Sequence, residues 1–440
     1  MEISARAAQL TPSLTLTIDS KAKAMKAEGI DVCGFGAGEP DFDTPEHIKA
    51  AAISALQAGF TKYTPSAGIP ELRQAIAEKL ASDNGLNYRP AQIVVSNGAK
   101  HACFNAVLAT CQPGDEVVIP APYWVSYPEM VRLAGAEPVI VPTSERNLWK
   151  MSAEEFENAM TPRTKMVIMN TPGNPTGSIY TREELQAIVD VAAEEDIYIL
   201  ADEIYEKLVY DDAQHVSIAS LSKEASDLTI TVNGFSKSYA MTGWRLGYSA
   251  APDAIAKAID SIQSHSTSNP SSFSQYGALA ALSPEGDSFR GQLLDYCRKG
   301  RDVVDQWIGR QNRVRWIEPA GAFYGHLEIE GLKDQLEKKS VVMKEEERGN
   351  LEENYRKKLR DFERDYKDSQ ADLQKKDNEL TGAIIKDLEE VIRAYGDREG
   401  YTMIFESSSN AVIYAAKGAD LTDAILREYN QRPASKKKGK

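Results

Sequence analysis

Residues Met166–Tyr205 read MVIMNTPGNPTGSIYTREELQAIVDVAAEEDIYILADEIY. The stretch opens on an apolar run, Met166–Met169, that ends at Asn170 and a Gly/Pro-rich turn. Residues Arg182–Glu194 then carry apolar side chains at helical spacing. A second apolar run, Ile197–Ala201, ends at Asp202. Both runs are apolar on both faces, as strands buried between helices must be. A helix between two such strands is a crossover, and crossovers build parallel sheets. The same alternation extends from about Thr44 to Leu282. It predicts helices over Pro45–Ala58, Ile69–Ser82, Lys100–Thr110, Tyr127–Ala134 and Arg182–Glu194. Strands are predicted over Ile93–Val95, Glu116–Ile119, Pro138–Val141, Met166–Asn170, Ile197–Ala201 and Thr229–Val232. A helix over Asp287–Arg310 and strands over Arg313–Ile317 and Ala322–Ile329 then begin a smaller domain.

Parallel sheets bind ligands beyond the C-terminal ends of their strands. The unusual residues collect there. Lys237 follows the run Thr229–Val232, where an amine could attack an aldehyde. Asp202 ends an apolar run, and a buried carboxylate needs a cationic partner. A pyridinium nitrogen would supply one. Arg245 and Ser236 can bind a phosphate, Arg through its fork of donors. Gly98, Ala99 and Lys100 open a helix, whose free N–H groups favour an anion. Trp124 offers a flat face to an aromatic ring. Asn174 and Tyr205 offer hydrogen bonds to a phenolate oxygen. Together these groups suit a phosphorylated pyridine aldehyde.

The chain has 440 residues and a formal net charge of −14. Residues 1–330 hold 28 basic and 42 acidic side chains, whereas residues 331–440 hold 23 of each. All the net charge therefore lies before residue 331, and the tail is neutral but more densely charged. The composition change predicts a domain boundary near 330. An acidic head argues against nucleic acid as a partner. No apolar run reaches the ~18–20 residues that span a bilayer, and Met1–Ser20 lacks the pattern of a secretory signal. A cytoplasmic location and no membrane partner are the expectation. Cys33, Cys103, Cys111 and Cys297 are scattered and read as buried free thiols. The five histidines show no ligand spacing, so no metal is expected. Gly34, Gly36 and Gly38 do not complete a dinucleotide motif, because position 39 is Glu.

Ordered motifs carry a family resemblance. They are Ala37-Gly-Glu-Pro-Asp-Phe-Asp-Thr-Pro45, Lys62-Tyr-Thr-Pro65, Ala121-Pro-Tyr-Trp-Val-Ser-Tyr-Pro-Glu129 and Asn170-Thr-Pro-Gly-Asn-Pro-Thr-Gly177. Ala201-Asp-Glu-Ile-Tyr205, Ser236-Lys-Ser-Tyr-Ala-Met-Thr-Gly-Trp-Arg245 and Pro319-Ala-Gly-Ala-Phe-Tyr324 complete the set. Over about residues 4–327 the chain resembles the class I, fold type I aminotransferases, nearest their aspartate/prephenate branch. The resemblance implies a mostly parallel, seven-stranded α/β domain over ~46–285. A partial small domain would comprise 1–45 and 286–330. It implies pyridoxal 5′-phosphate as cofactor and Lys237 as the catalytic residue that forms a Schiff base with it and then shuttles a proton. Asp202 would hold the ring nitrogen protonated. Tyr205 and Asn174 would bind the phenolic oxygen, and Trp124 would stack on the ring. Gly98, Ala99, Lys100, Ser236 and Arg245 would cradle the phosphate. Tyr63 would reach the cofactor of a second subunit, which implies a homodimer. Gly38, Lys100, Trp124 and Asn174 would line the substrate pocket, with Lys100 favouring a dicarboxylic amino acid and its 2-oxo acid. A lyase or decarboxylase on the same fold is the other reading within this chemistry. The family's Arg-x-Ser segment, whose Arg clamps the substrate α-carboxylate, does not follow Tyr324. Arg393-Ala-Tyr395 is the nearest string. Impaired turnover is the implied consequence.

Beyond residue 330, Leu351, Tyr355, Leu359, Phe362, Tyr366, Leu373, Leu380, Ile384 and Leu388 recur at steps of 3, 4 or 7. That spacing predicts long helices with a narrow apolar seam, as in a coiled-coil hairpin. Two short strands, Tyr401–Phe405 and Ala411–Ala415, and a helix over Asp420–Tyr429 follow. The strings Arg398–Phe405, Ala411–Ala416 and Ala419–Leu426 resemble the Skp/OmpH family of periplasmic chaperones over about 336–429. That resemblance implies self-association or binding of unfolded clients by residues 331–432. Residues 433–440 read as a disordered basic tail.

Overall fold

The computed structural model describes residues 3–32, 34, 36, 38–329, 388, 391, 392, 394, 395, 397–401, 421, 422 and 424–426. The chain divides into two compact units, Met1–Lys333 and Asp334–Lys440.

Seven strands form the main sheet of the first unit. They are β1 (Ile93–Ser96), β2 (Glu116–Ala121), β3 (Glu137–Pro142), β4 (Thr164–Asn170), β5 (Tyr198–Asp202), β6 (Thr229–Gly234) and β7 (Gly247–Ala250). Their spatial order is β1-β7-β6-β5-β4-β2-β3. β7 runs antiparallel to both β1 and β6, and the pairs β2–β3, β2–β4, β4–β5 and β5–β6 are parallel. The sheet is thus the mostly parallel α/β sheet that the alternating pattern predicts.

The apolar runs are buried on both faces. Met166, Ile168 and Leu200 pack with Ala102, Met130 and Ile259 on one face. The intervening Val167, Met169, Ile199 and Ala201 pack with Leu185, Ile188 and Phe156 on the other. Alternate side chains of a strand point to opposite faces, so such a strand has no solvent side. β3 departs from the expectation of two-sided burial. Only Val141 is fully buried in it, because β3 is an edge strand.

The crossover helices begin where local chemistry dictates. Thr181 accepts from the Glu184 N–H while the Glu184 carboxylate accepts from the Thr181 N–H, a reciprocal cap on the helix Arg182–Glu194. Gly85 and Gly135 end their helices at φ +67° and +84°, a region that favours glycine.

Two elements differ from the sequence reading. The sequence pattern does not predict the short strand β7, because Gly-Tyr-Ser-Ala has no apolar run to mark it. The predicted strand Ala322–Ile329 shrinks to β9 (Leu327–Ile329), paired antiparallel with β8 (Val314–Trp316). Ala322 adopts φ +59°, and Gly325 lies against the Trp316 ring, so the chain turns before it can pair. A long helix, Pro284–Ile308, precedes β8. Two further helices, Ala5–Ala8 and Leu14–Ala27, lie in the N-terminal segment. Cys103 and Cys111 are buried free thiols; Cys297 is half-buried, a correction to its expected burial, and Cys33 lies outside the described residues.

In the second unit, described residues between 388 and 399 are helical, as are 422 and 424–426. Val391 and Ile425 are buried, and Tyr395 and Tyr401 stack with ring centroids 6.3 Å apart. The predicted seam over 351–384 and the strands 402–405 and 411–415 lie outside the described residues, as does the tail 433–440. No described helix is long and apolar enough to cross a membrane.

Candidate active site

The C-terminal ends of β4, β5 and β6 lie side by side. Register pairs Asn170 with Asp202 and Asp202 with Val232. Asn170 Nδ2 donates to the Asp202 carbonyl at 2.8 Å, which ties the two strand ends together. Asp202 is 4 % exposed. Its Oδ2 accepts from the Tyr127 hydroxyl at 2.6 Å, and Cys103 Sγ lies at 3.8 Å; Oδ1 accepts from the Ile204 N–H at 3.3 Å. No cationic side chain pairs with it among the described residues. Burial raises its pKa, and Tyr127 and Ile204 only partly oppose this.

Lys237 lies in the loop between β6 and β7. Its Nζ donates to the Gly38 carbonyl and sits 5.3 Å from the Phe323 ring centroid and 5.9 Å from that of Tyr205. Burial lowers its pKa to about 8; Arg245 and Lys100 add to the fall, while Glu39 and Asp202 oppose it. Lys237 thus has Asp202, Glu39, Arg245 and Lys100 within electrostatic range, and of these only Arg245 shares its loop.

The candidate anion cradle depends on two glycines. Gly98 caps the helix Ala99–Thr110 at φ +89°. A Cβ at Gly98 would meet Arg245 Nη2 at 2.6 Å, and one at Gly247 would meet the Gly98 carbonyl carbon at 2.6 Å. The guanidinium can approach the helix start because Gly98 lacks a side chain, and β7 can lie against the same backbone because Gly247 does. Arg245 Nη1 donates to the Thr242 carbonyl at 2.8 Å and Nη2 to the Asn97 carbonyl at 3.5 Å. No carboxylate pairs with Arg245, Lys100 or Lys237 among the described residues. Ser236 is buried in the same loop. Lys100 Nζ lies 4.9 Å from the Trp124 ring centroid, so it faces the predicted ring-stacking residue as well as the cradle.

Asn174 Nδ2 approaches the Tyr205 hydroxyl at 3.5 Å, and the Asn174 N–H donates to Asn170 Oδ1 at 2.7 Å. Gly38 packs so closely on Tyr324 that a Cβ there would collide with the Tyr324 ring. The structure therefore gathers Gly38, Gly98, Ala99, Lys100, Trp124, Asn174, Asp202, Tyr205, Ser236, Lys237 and Arg245 around the strand ends. Tyr63 stands apart: it is 91 % exposed. Tyr127, Phe323 and Tyr324 also belong to the site. They lie inside motifs quoted above, but their contacts are set by packing between distant segments, which no local pattern records.

Behind the site, Glu203, Glu206 and His215 bring potential ligand atoms within 4.8 Å of one another. Histidine spacing alone could not show this cluster, because two of its members are glutamates. Its carboxylates are bonded to protein groups, whereas the buried His215 Nδ1 has no hydrogen-bond partner among the described residues. Glu206 is paired with Lys79 and accepts from Asn84 Nδ2 at 2.6 Å. Glu203 accepts from Ser217 Oγ at 2.6 Å, from the Ile218 N–H at 3.1 Å and faces His215 Nε2 at 3.2 Å. Burial opposes ionisation of Glu206, but Lys79, Lys207 and His215 outweigh it and hold its pKa down to about 2. A depressed carboxylate contributes stability above its unfolded pKa of ~4.3 and loses it as pH falls toward the folded value. Glu206→Gln is expected to destabilise the fold by about 3–5 kcal/mol at pH 7, because Lys79 is left as an unpaired buried charge. Urea unfolding at pH 7 and pH 3 would show the deficit shrinking at the lower pH; an equal deficit at both would contradict the ion-pair account.

The family model for "Aminotransferase class I and II" matches residues 30–351, and that for "Outer membrane protein (OmpH-like)" matches residues 326–429. The aspartate aminotransferase of Bacillus subtilis is 53 % identical over 324 residues, covering 74 % of this chain and 82 % of that protein. The aspartate/prephenate aminotransferase of Cereibacter sphaeroides is 48 % identical over 325 residues, covering 74 % and 81 %. Among solved structures, aspartate aminotransferase from Thermus thermophilus with maleate superposes with a TM-score of 0.71 at 42 % identity, covering 74 % of this chain and 85 % of that one. The chain therefore belongs to the class I and II aminotransferases, a family of pyridoxal 5′-phosphate-dependent enzymes.

Proposed function

We propose that the chain transfers amino groups between a dicarboxylic amino acid and a 2-oxo acid, using pyridoxal 5′-phosphate. The observation that carries this reading is the buried Asp202, which has no cationic partner among the described residues, beside a Lys237 whose pKa burial lowers. A carboxylate at 4 % exposure without a positive partner among the described residues is costly unless a ligand brings one. The protonated pyridine nitrogen of the cofactor is such a cation. The cradle of Gly98, Ala99, Lys100, Ser236 and Arg245 offers helix N–H groups and positive charge with no competing carboxylate, as a phosphate monoester needs. The residues present therefore fit the group.

When bound, the cofactor supplies an electron-withdrawing ring that stabilises negative charge at the substrate Cα. The chain supplies position and protons. Asp202 holds the ring-nitrogen proton, and Tyr127 fixes the carboxylate that does so. Lys237, its pKa lowered to about 8 by burial, is neutral more often near pH 7 than an ordinary lysine. Nζ can therefore act as nucleophile and as proton carrier at Cα. Trp124 covers one face of the ring, and Asn174 and Tyr205 hydrogen-bond its phenolic oxygen. Lys100, Trp124, Asn174 and Gly38 border the substrate, with Lys100 placed for a distal carboxylate.

Two finer readings accompany this one. Tyr63 serves the site of a second copy in a homodimer; its exposure, and that of Ile53, Leu56, Phe60 and Phe273 nearby, supports an interface there. Turnover is slowed by the missing Arg-x-Ser segment, because losing one partner of a buried charge pair costs about 2–5 kcal/mol. Incubation with aspartate and 2-oxoglutarate tests the substrate class. Oxaloacetate formation above background is expected; its absence in a protein that binds the cofactor would refute the proposed substrate pair. For residues 331–440, the OmpH-like match supports a second reading as an oligomerising or client-binding element. Failure of the full chain to suppress aggregation of an unfolding client would count against client binding.

Arg245→Gln isolates the cradle. Loss of one charge-assisted contact is expected to weaken cofactor affinity about 10–100-fold, from ~1.5–3 kcal/mol. Fluorescence titration with pyridoxal 5′-phosphate would measure it, and an unchanged Kd would remove Arg245 from the cradle.

A further inference from the structure

Tyr324 belongs to the segment that follows the Pro319-Ala-Gly motif, and that segment is stitched to the large domain by backbone. The Gly321 N–H donates to the Gly177 carbonyl at 2.9 Å, the Ala322 N–H to the Leu208 carbonyl at 2.8 Å, and the Tyr210 N–H to the Ala320 carbonyl at 2.9 Å. These bonds set the Tyr324 hydroxyl 2.7 Å from that of Tyr205. The two rings meet edge to face, with centroids 5.5 Å apart and planes at 88°. Gly38, whose carbonyl accepts from Lys237 Nζ, leaves room for the Tyr324 ring.

A phenol has one proton to give. If Tyr205 spends its proton on Tyr324, it has none for a ligand oxygen. If Tyr324 donates to Tyr205, the Tyr205 proton is free to point into the site. We infer that Tyr324 is a positioning residue that donates to Tyr205, aligning and polarising the Tyr205 hydroxyl toward the phenolic oxygen of the bound cofactor. The inference rests on the cofactor reading above and adds a proton relay, Tyr324 O–H to Tyr205 O–H to ligand oxygen. Chained hydrogen bonds strengthen one another by roughly 10–30 % per bond. Asn174, at 3.5 Å from the Tyr205 hydroxyl, is the other group able to donate to it.

The consequence is spectroscopic. A weaker hydrogen bond to the phenolic oxygen makes the Lys237-bound cofactor hold its proton to higher pH. The charged groups facing Lys237 are Glu39, Arg245, Asp202 and Lys100, and Asp202 also acts on Tyr205 and Tyr324. All stay in place in Tyr324→Phe, which deletes a single oxygen. The test is a pH titration of the visible absorbance band of the full chain loaded with pyridoxal 5′-phosphate. Tyr324→Phe is expected to raise the midpoint by a few tenths of a unit, on the order of the cooperative fraction of one hydrogen bond. Tyr205→Phe is expected to raise it further, and Tyr205→Phe/Tyr324→Phe no further than Tyr205→Phe alone. Tyr324→Leu, which removes the ring as well, should shift it in the same direction. An unshifted midpoint in Tyr324→Phe, or equal shifts that add in the double variant, would overturn the relay. A wild-type chain that shows no visible band would instead overturn the cofactor reading, and the relay with it.

Discussion

Lys237→Ala abolishes the visible absorbance band of the cofactor-loaded chain and lowers amino transfer by at least about 10²–10⁴-fold, the usual contribution of one positioned acid–base group. The size of the effect follows from what surrounds Nζ. Among the described residues no other amine occupies its place. Lys100 lies on the Trp124 ring, and Arg245 is bonded to the Thr242 carbonyl. The substitution should leave the fold intact, since Lys237 makes no ion pair among the described residues and Gly38 supplies its hydrogen-bond acceptor through the backbone. Absorbance scans before and after borohydride reduction would check the bond to Lys237. A band that borohydride abolishes in wild type but that persists unchanged in Lys237→Ala would show that another amine anchors the cofactor.

The second large effect is expected at Asp202. In the ligand-free chain this carboxylate is buried with a raised pKa. The folded form then binds a proton more tightly than the unfolded one. Stability contributed by that proton is present at low pH and is lost as pH rises from ~3.9 through the folded value. Asp202→Asn removes this penalty, so the ligand-free variant should melt at or above the wild-type temperature at pH 7. With cofactor the order reverses. Asn cannot neutralise a ring cation, and breaking a buried pair costs about 3–5 kcal/mol. That is roughly a 10²–10⁴-fold loss in cofactor affinity at ~1.36 kcal/mol per tenfold. Thermal melts with and without pyridoxal 5′-phosphate give both numbers. A variant stabilised by cofactor as much as wild type would show that Asp202 does not face the ring nitrogen.

The residues of these two experiments are legible in the sequence: Asp202 ends an apolar run, and Lys237 stands five residues beyond the run Thr229–Val232. Burial on both faces identifies the strands, and the polar residue that follows each one marks the ligand edge. Arg182–Glu194 was legible to the residue because its capping box is local. β7 was not, because four residues of mixed character become a strand only by fitting between β1 and β6. Tyr127 and Tyr324 were visible as members of motifs, but their hydroxyl partners lie 75 and 119 residues away. The Glu203–Glu206–His215 cluster likewise depends on a loop returning to β5. Periodicity reports local burial; convergence of distant segments leaves no period to read.

β6 and β7 pair through Gly234 opposite Gly247. The loop closed by that pair carries Lys237 and Arg245, eight positions apart. On the proposed roles, its length would work as a ruler between the amine that bonds the ligand and the guanidinium that grips its phosphate. Elsewhere in the molecule a gene can gain or lose codons in a surface turn and leave the chemistry alone. Here one added codon would change the span between the two proposed contacts on one small molecule. Descendants of this gene should keep that loop at constant length even where its individual letters change.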